Sequence, residues 1–230
     1  MTYEVRSMKT MIMVGGGKGG VGKSTVAMAL LDALRQEGNE PLYVETDDSN
    51  PDVYKAVNGN VACEICTLDT ESGYVRLGDL MESNTDSPIV VNTPARATPG
   101  ILEHGGILCD VAKQTERRMV MVWPLNRQRD GLELLKQFVD AGQPYAATYA
   151  LLNTYFGTVD KFARYQASKL KDRVTGTVIF PELNDLVADR LIDQRLPLWA
   201  DDGKFTLAQR SVLTRYRAAA RDALRMVYEG

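Results

Sequence analysis

The residues best equipped for chemistry lie near the start of the chain, in the run Gly15-Gly16-Gly17-Lys18-Gly19-Gly20-Val21-Gly22-Lys23-Ser24-Thr25. Gly17 to Ser24 satisfies the spacing G-x-x-x-x-G-K-[ST]. Each residue type there has a physical reason. Glycines reach backbone angles that turn successive N–H groups to one side, making a nest for an anion. A helix beginning near Lys23 adds its positive dipole end. Lys23 brings a point charge suited to the β- and γ-phosphates of a nucleotide, and the Ser24 hydroxyl is a ligand suited to Mg²⁺. The expected nucleotide contacts from this run are Gly17, Lys18, Gly19, Gly20, Val21, Gly22, Lys23, Ser24 and Thr25.

Such a cradle needs a strand before it and a helix after it, and the neighbouring sequence supplies both. Met11–Val14 is a short apolar run, and Ser24–Gln36 carries Val26, Leu30 and Leu34 on one helical face before Gly38 stops it. The same alternation continues along the chain. Leu42–Glu45, Ile89–Asn92, Arg118–Trp123, Tyr145–Leu152 and Val174–Phe180 read as strands, and Asp130–Ala141, Val159–Leu170 and Asn184–Gln194 as helices. This predicts an α/β fold with a mostly parallel sheet covered on both faces, whose ligands bind at the carboxyl ends of the strands. The stretch from Asn58 to Asp86, rich in Gly, Asn, Ser and Thr, reads as a loop-dominated excursion. With 230 residues and no low-complexity linker, one domain over 1–230 is expected.

Composition narrows the chemistry. A net charge of -3 gives no global attraction to nucleic acid or anionic lipid. His104 is the only histidine, which argues against histidine-based zinc catalysis and against Ser-His or Cys-His nucleophiles. No apolar run approaches the ~20 residues that span a bilayer, and Met1–Met8 lacks a signal-peptide core, so a cytosolic location is expected. Three cysteines are too few for a disulfide scaffold. Cys63 and Cys66 form one C-x-x-C, which reads as free thiols or, paired across a dimer, as a site for zinc or an iron–sulfur cluster.

The run Lys18 to Ser24 resembles the deviant Walker A motif of the MinD/ParA family of ATPases. The resemblance implies that Lys18 reaches across a dimer interface to phosphates bound by the partner subunit; the plainer alternative is that it tunes the charge of its own loop. Glu45-Thr46-Asp47-Asp48-Ser49-Asn50 falls where the family has Asp-x-Asp, so Asp47 is expected to orient the attacking water and feel the Mg²⁺, with Glu45 in the place of the first acid. Asp48 and Asn50 are candidates for Mg²⁺-bound waters or the dimer contact, although Asp-Asp-Ser-Asn-Pro is also a strong turn sequence. Asn92 stands where the family's Asp-Thr-Pro has its aspartate. An amide oxygen accepts from a metal-bound water but lacks the charge that favours Mg²⁺, so weak Mg²⁺ binding or slow hydrolysis is expected. The expected metal-site residues are Ser24, Asp47 and Asn92. Asn153, at a strand end, and Pro181 and Glu182, after Phe180, look like the family's adenine contacts; Asn153 also reads as a strand-terminating turn residue.

The resemblance spans about Met11 to Leu191. Within the family, the chain looks more like the small plasmid-borne stability and conjugal-transfer ATPases (StbB-like or TraL-like) than like MinD. It implies a homodimer around ATP and Mg²⁺ that lets go on hydrolysis to ADP, with Lys18, Lys23 and Asp47 as catalytic residues. The stretch 205–230 reads as a C-terminal amphipathic helix, with an apolar stripe of Leu213, Tyr216, Ala220, Leu224 and Val227 edged by Arg210, Arg217, Arg221 and Arg225. That helix either packs on the sheet while its arginines snorkel, or binds DNA or a partner protein; a membrane fits less well because bulky anchors are sparse. The rival functions are a non-hydrolysing nucleotide-dependent binding module, an ATP-using synthetase of the dethiobiotin-synthetase kind, and a metal-cluster carrier.

Overall fold

A computed structural model describes residues 9–49, 51–142, 145–200 and 202–229. Asn50 therefore lies outside the described residues. The chain runs through β1 (Thr10–Val14), α1 (Lys23–Gln36), β2 (Leu42–Glu45), α2 (Asp52–Val57), β3 (Ala62–Ile65), α3 (Glu71–Ser83), β4 (Ile89–Asn92) and α4 (Ala97–Gln114). It continues through β5 (Arg118–Leu125), α5 (Arg129–Asp140), β6 (Ala147–Asn153), α6 (Ala163–Gln166), β7 (Gly176–Phe180), α7 (Asp185–Asp193) and α8 (Leu207–Glu229). Among the described residues the strands form one seven-stranded sheet in the order β3-β2-β4-β1-β5-β6-β7, and every pairing is parallel.

Both faces of the sheet are buried, which is why its strands read as continuous apolar runs. In β1, Ile12 and Val14 join one core while Met11 and Met13 join the other, as a period of two requires. The first core is covered by α1, α2, α7 and α8, and the second by α3, α4 and α5. The expected parallel α/β fold is thus the observed one.

Two local expectations are corrected, and one helix, α4, has no counterpart among the expected elements. The excursion expected from Asn58 to Asp86 contains β3 and α3. β3 is an edge strand whose side chains are only partly covered, so it carries no apolar alternation, and α3 holds Gly73 and Gly78, poor helix formers in isolation. Gly73 is required by packing: a Cβ there would lie 1.8 Å from the Thr67 carbonyl oxygen. Helix α4, with Pro99, Gly100, Gly105 and Gly106, is likewise hidden in the sequence by weak helix propensity. Finally, Val159–Leu170 is not one helix. It is a 3₁₀ turn (Val159–Phe162), the short α6 and another 3₁₀ turn (Lys169–Asp172), the last opened by the Ser168 hydroxyl accepting from Leu170 N–H.

Helix α8 takes the packed alternative. Leu213, Tyr216, Ala220, Leu224 and Val227 are all buried in the first core, against α1 and β7. Arg217 donates to both carboxylate oxygens of Asp32 in α1, at 2.8 and 2.7 Å, and Asp32 is 1% exposed. Arg221 and Arg225 both face Glu37 at 3.7 Å. The stripe and most of its arginine edge are therefore occupied in holding α8 to α1. No helix among the described residues is long and apolar enough to cross a membrane.

Candidate nucleotide-binding site

The glycine run leaves β1 at the carboxyl edge of the central strand, between β4 and β5. Gly16, Gly20 and Gly22 have φ of +121°, +72° and +92°, a region L side chains rarely adopt. Gly22 is the N-cap of α1 and has a neighbour as well: a Cβ there would meet Asn153 Nδ2 at 2.4 Å. The first turn of α1 has no acidic residue and no side-chain cap, so its free N–H groups and dipole face the loop uncompensated. Ser24 and Thr25 lie exposed on that turn.

The two lysines of the loop are held differently. Lys23 Nζ donates to the Lys18 carbonyl at 3.0 Å, a bond within the loop. Burial lowers its pKa, and the charge of Asp47 pushes the other way, so Asp47 is close enough to act on the loop. Lys18 Nζ instead pairs with Asp130 Oδ2 at 2.7 Å, in the first turn of α5. Lys18 holds the Asp130 carboxyl below its ordinary range, first by the hydrogen bond and then by its charge.

The acidic side of the site is built where β2 and β4 end together, with Glu45 and Asn92 as register partners. Glu45 is 0% exposed. Its Oε2 accepts from Tyr43 O–H at 2.5 Å; its Oε1 accepts from Asn92 Nδ2 and from the backbone N–H of Thr46 and of Asp47, each at 3.1 Å. Burial raises the Glu45 pKa, while the bonds from Tyr43, Asp47 and Asn92 pull it back. Asn92 Oδ1 is buried and, among the described residues, has no hydrogen-bond partner. Asp47 is half-buried and accepts from the Ser49 hydroxyl.

The phosphate loop, Lys23, Ser24, Thr25, Asp47, Asn92 and Asn153 are thus brought to one edge of the sheet. Asn153 sits against the loop itself: its Nδ2 donates to the Val21 carbonyl at 3.0 Å, and its Oδ1 accepts from Tyr155 N–H at 3.2 Å. Pro181 is half-buried and Glu182 exposed just beyond β7. Among the described residues no group of three or more His, Cys, Asp or Glu side chains forms a ready metal cluster; the Ser24 hydroxyl and the unpartnered Asn92 Oδ1 are oxygens of the hard kind that would suit Mg²⁺.

Two residues of this site have no evident role in the sequence alone. Asp130 contacts a lysine 112 positions away, which no local pattern signals. Glu45 stands out only as a substitute for the family's first acid; the period-two spacing Tyr43-x-Glu45, which puts phenol and carboxylate on one face of β2, is the available clue.

The C-x-x-C does not form a site. Cys63 and Cys66 stand three residues apart on and just beyond an extended strand and so face opposite ways. Cys63 packs towards the first core and donates to the Val61 carbonyl, while Cys66 lies in the second core and donates to the Gly73 carbonyl. Burial raises both thiols, Cys63 to about 11, away from the thiolate form that binds metal.

Comparison with known proteins agrees with this geometry. The model of the CobQ/CobB/MinD/ParA nucleotide binding domain matches residues 12–186. Protein MobD of Acidithiobacillus ferrooxidans is 38% identical over 220 residues, covering 94% of this chain and 96% of that protein. Among solved structures, a putative plasmid partition protein from Borrelia burgdorferi bound to AMPPNP superposes with a TM-score of 0.58 at 16% identity, covering 94% of this chain and 98% of the other. The cell-division protein MinD of Aquifex aeolicus gives 0.55 at 14% identity, covering 94% and 96%. The family match covers most of the chain, and the chain belongs to the CobQ/CobB/MinD/ParA family of nucleotide-binding domains.

Proposed function

We propose that this chain is an ATP-driven dimerisation switch that hydrolyses ATP slowly and positions or partitions DNA, in plasmid segregation, plasmid stability or conjugation. The observation that carries the reading is Lys18. It is a second cation in a loop whose phosphate-facing lysine is already Lys23, and an acid of its own subunit holds it aside. In the switch, Lys23 exchanges its bond to the Lys18 carbonyl for phosphate oxygens, and the N–H groups at the start of α1 take the remaining charge. Ser24, Asp47 and Asn92 would hold Mg²⁺ directly or through its waters, and the ion, when bound, would neutralise charge on the β- and γ-phosphates. Asp47, on the loop after β2, orients the attacking water. Lys18 leaves Asp130 and reaches the phosphates of the partner subunit, so the dimer lasts only while the γ-phosphate is present. Asn153, Pro181 and Glu182 lie on the side proposed for adenine, with Asn153 also bracing the loop. Support for the nucleotide comes from the Borrelia structure of the same fold, which holds AMPPNP.

The test is molecular mass in solution by light scattering, with ADP and with AMPPNP plus Mg²⁺, for the wild type and Lys18→Ala. A dimer formed only by the wild type with AMPPNP is expected. A mass that ignores nucleotide in the wild type refutes the switch. A second reading is favoured by one observation, the amide at Asn92 in place of an acid: a binding module that does not turn over. Phosphate release with and without DNA separates the two. Release by the wild type that is lost in Asp47→Ala supports hydrolysis, and no release under either condition supports the module.

A further inference from the structure

We propose that Glu45 is a positioning residue of the Mg²⁺–nucleotide site: its buried carboxylate fixes the Asn92 amide with the oxygen as the free end and pins the backbone that carries Asp47. The inference rests on the nucleotide reading above and adds to it the residue that makes an asparagine workable at the end of β4.

An amide has one donor end and one acceptor end, and only one orientation pairs with a carboxylate. Asn92 Nδ2 lies 3.1 Å from Glu45 Oε1 and 3.4 Å from Oε2. Rotating the amide would set its oxygen against a carboxylate oxygen, so Glu45 decides which end is left over. The end left over is Oδ1, a buried acceptor with no partner among the described residues. A buried acceptor without a donor is costly, and a water of a Mg²⁺ ion at the strand end would supply one.

The same carboxylate acts on Asp47. Oε1 accepts from the N–H of Thr46 and of Asp47, both at 3.1 Å, curling the chain around it as it leaves β2. Thr46 is tied across to β4 through its hydroxyl, which donates to the Asn92 carbonyl at 2.7 Å. Tyr43 O–H holds the other oxygen of Glu45. Asn92 at the end of β4 and Asp47 just beyond β2 are thus oriented by a single acid whose own oxygens are both taken by protein donors.

The experiment titrates Mg²⁺ into wild type, Glu45→Gln, Asn92→Asp and the double variant Glu45→Gln/Asn92→Asp, reading binding of a fluorescent, slowly hydrolysed ATP analogue. Binding of the same probe in EDTA and the melting temperature without nucleotide are measured alongside. Glu45→Gln is expected to raise the Mg²⁺ concentration for half-saturation roughly 10–100-fold, as loss of an outer-sphere partner does, with binding in EDTA unchanged. Asn92→Asp places two buried carboxylates in contact and is expected to melt lower than the wild type. The double variant, which exchanges acid and amide across the pair, should recover both the melting temperature and the Mg²⁺ dependence. A Glu45→Gln protein with wild-type Mg²⁺ dependence overturns the proposal. So does one that loses EDTA and Mg²⁺ binding equally, which marks a merely structural residue. If Glu45→Gln does not fold, the double variant decides: folded with Mg²⁺ dependence near wild type, it supports the exchange; unfolded, it refutes it. A wild type that binds no nucleotide overturns the proposed function itself, whereas normal wild-type binding with indifferent variants removes only the role of Glu45.

Discussion

At the scale of single residues, the loop makes two demands of different kinds. Lys23 is needed for its charge, and Gly22 for the space it leaves. Lys23→Ala should abolish measurable ATP binding by calorimetry while leaving the fold intact, since its amine bonds only to the Lys18 carbonyl. Gly22→Ala should fail for a different reason. A side chain at φ +92° costs about 1–2 kcal/mol, and its Cβ would stand 2.4 Å from Asn153 Nδ2. That variant should both melt lower and bind ATP more weakly, and a Gly22→Ala protein with wild-type affinity would show that the loop rearranges freely. Spacing alone makes Lys18, Lys23 and Ser24 legible, because a phosphate cradle is written in consecutive residues. Glu45 and Asp130 are not legible as participants. Their partners lie 47 and 112 positions away, so the interactions exist only once the strands are side by side.

At the scale of elements, buried central strands are legible almost to the residue: Leu42–Glu45 and Ile89–Asn92 are β2 and β4 as expected. These strands have apolar neighbours on both faces, and their sequence records that directly. The edge strand β3 and the glycine-bearing helices α3 and α4 escape a reading of the sequence because their stability comes from neighbours and not from pattern or propensity. Helix α8 is legible as a helix, while its surface leaves two uses open; the buried stripe and the Asp32–Arg217 pair decide for packing. That pair makes a prediction for stability. Arg217→Ala strands the carboxylate of Asp32, leaving it only the Gln36 amide as a partner. The loss expected is about 2–4 kcal/mol, towards the lower part of the range for breaking a buried pair because Arg217 is partly exposed. Thermal melting checks it, at roughly 2–4 °C per kcal/mol for a chain of this size. Arg217→Lys should recover only part, since an ammonium cannot engage both carboxylate oxygens as a guanidinium does.

At the scale of the whole molecule, the proposed switch requires a surface on which to report its state. With α8 committed to the core, a better candidate for a polyanion is an open cleft of about 640 Å³ beside α5, lined by Arg127, Arg129, Lys161, Arg164 and Phe156. Arg129 pairs with Glu133 and Lys161 with Asp160, but among the described residues Arg127 and Arg164 have no carboxylate partner. Asp130 also lines this cleft, so the acid that holds Lys18 borders both the phosphate loop and the basic surface. If the ATP-bound protein binds DNA here, Arg127→Ala/Arg164→Ala should weaken binding uniformly across sequences. It should also flatten the dependence of log affinity on log salt by up to about two units, one for each DNA phosphate left without its arginine. Unchanged DNA affinity would move the surface elsewhere.

The Asp32–Arg217 bond has a consequence in time as well as in space. Helix α1 begins in the phosphate loop, yet the arginine that neutralises its buried acid is 185 residues further along the chain. A ribosome adding about 5–20 residues each second makes α1 many seconds before α8 exists to receive it. Through that interval α1 rests on β1, β4 and α2 without α8, and the face that carries Asp32 stays open to water. A growing chain is therefore expected to bind nucleotide more weakly until α8 docks on α1, which ATP affinity of a chain truncated before Leu207 would check.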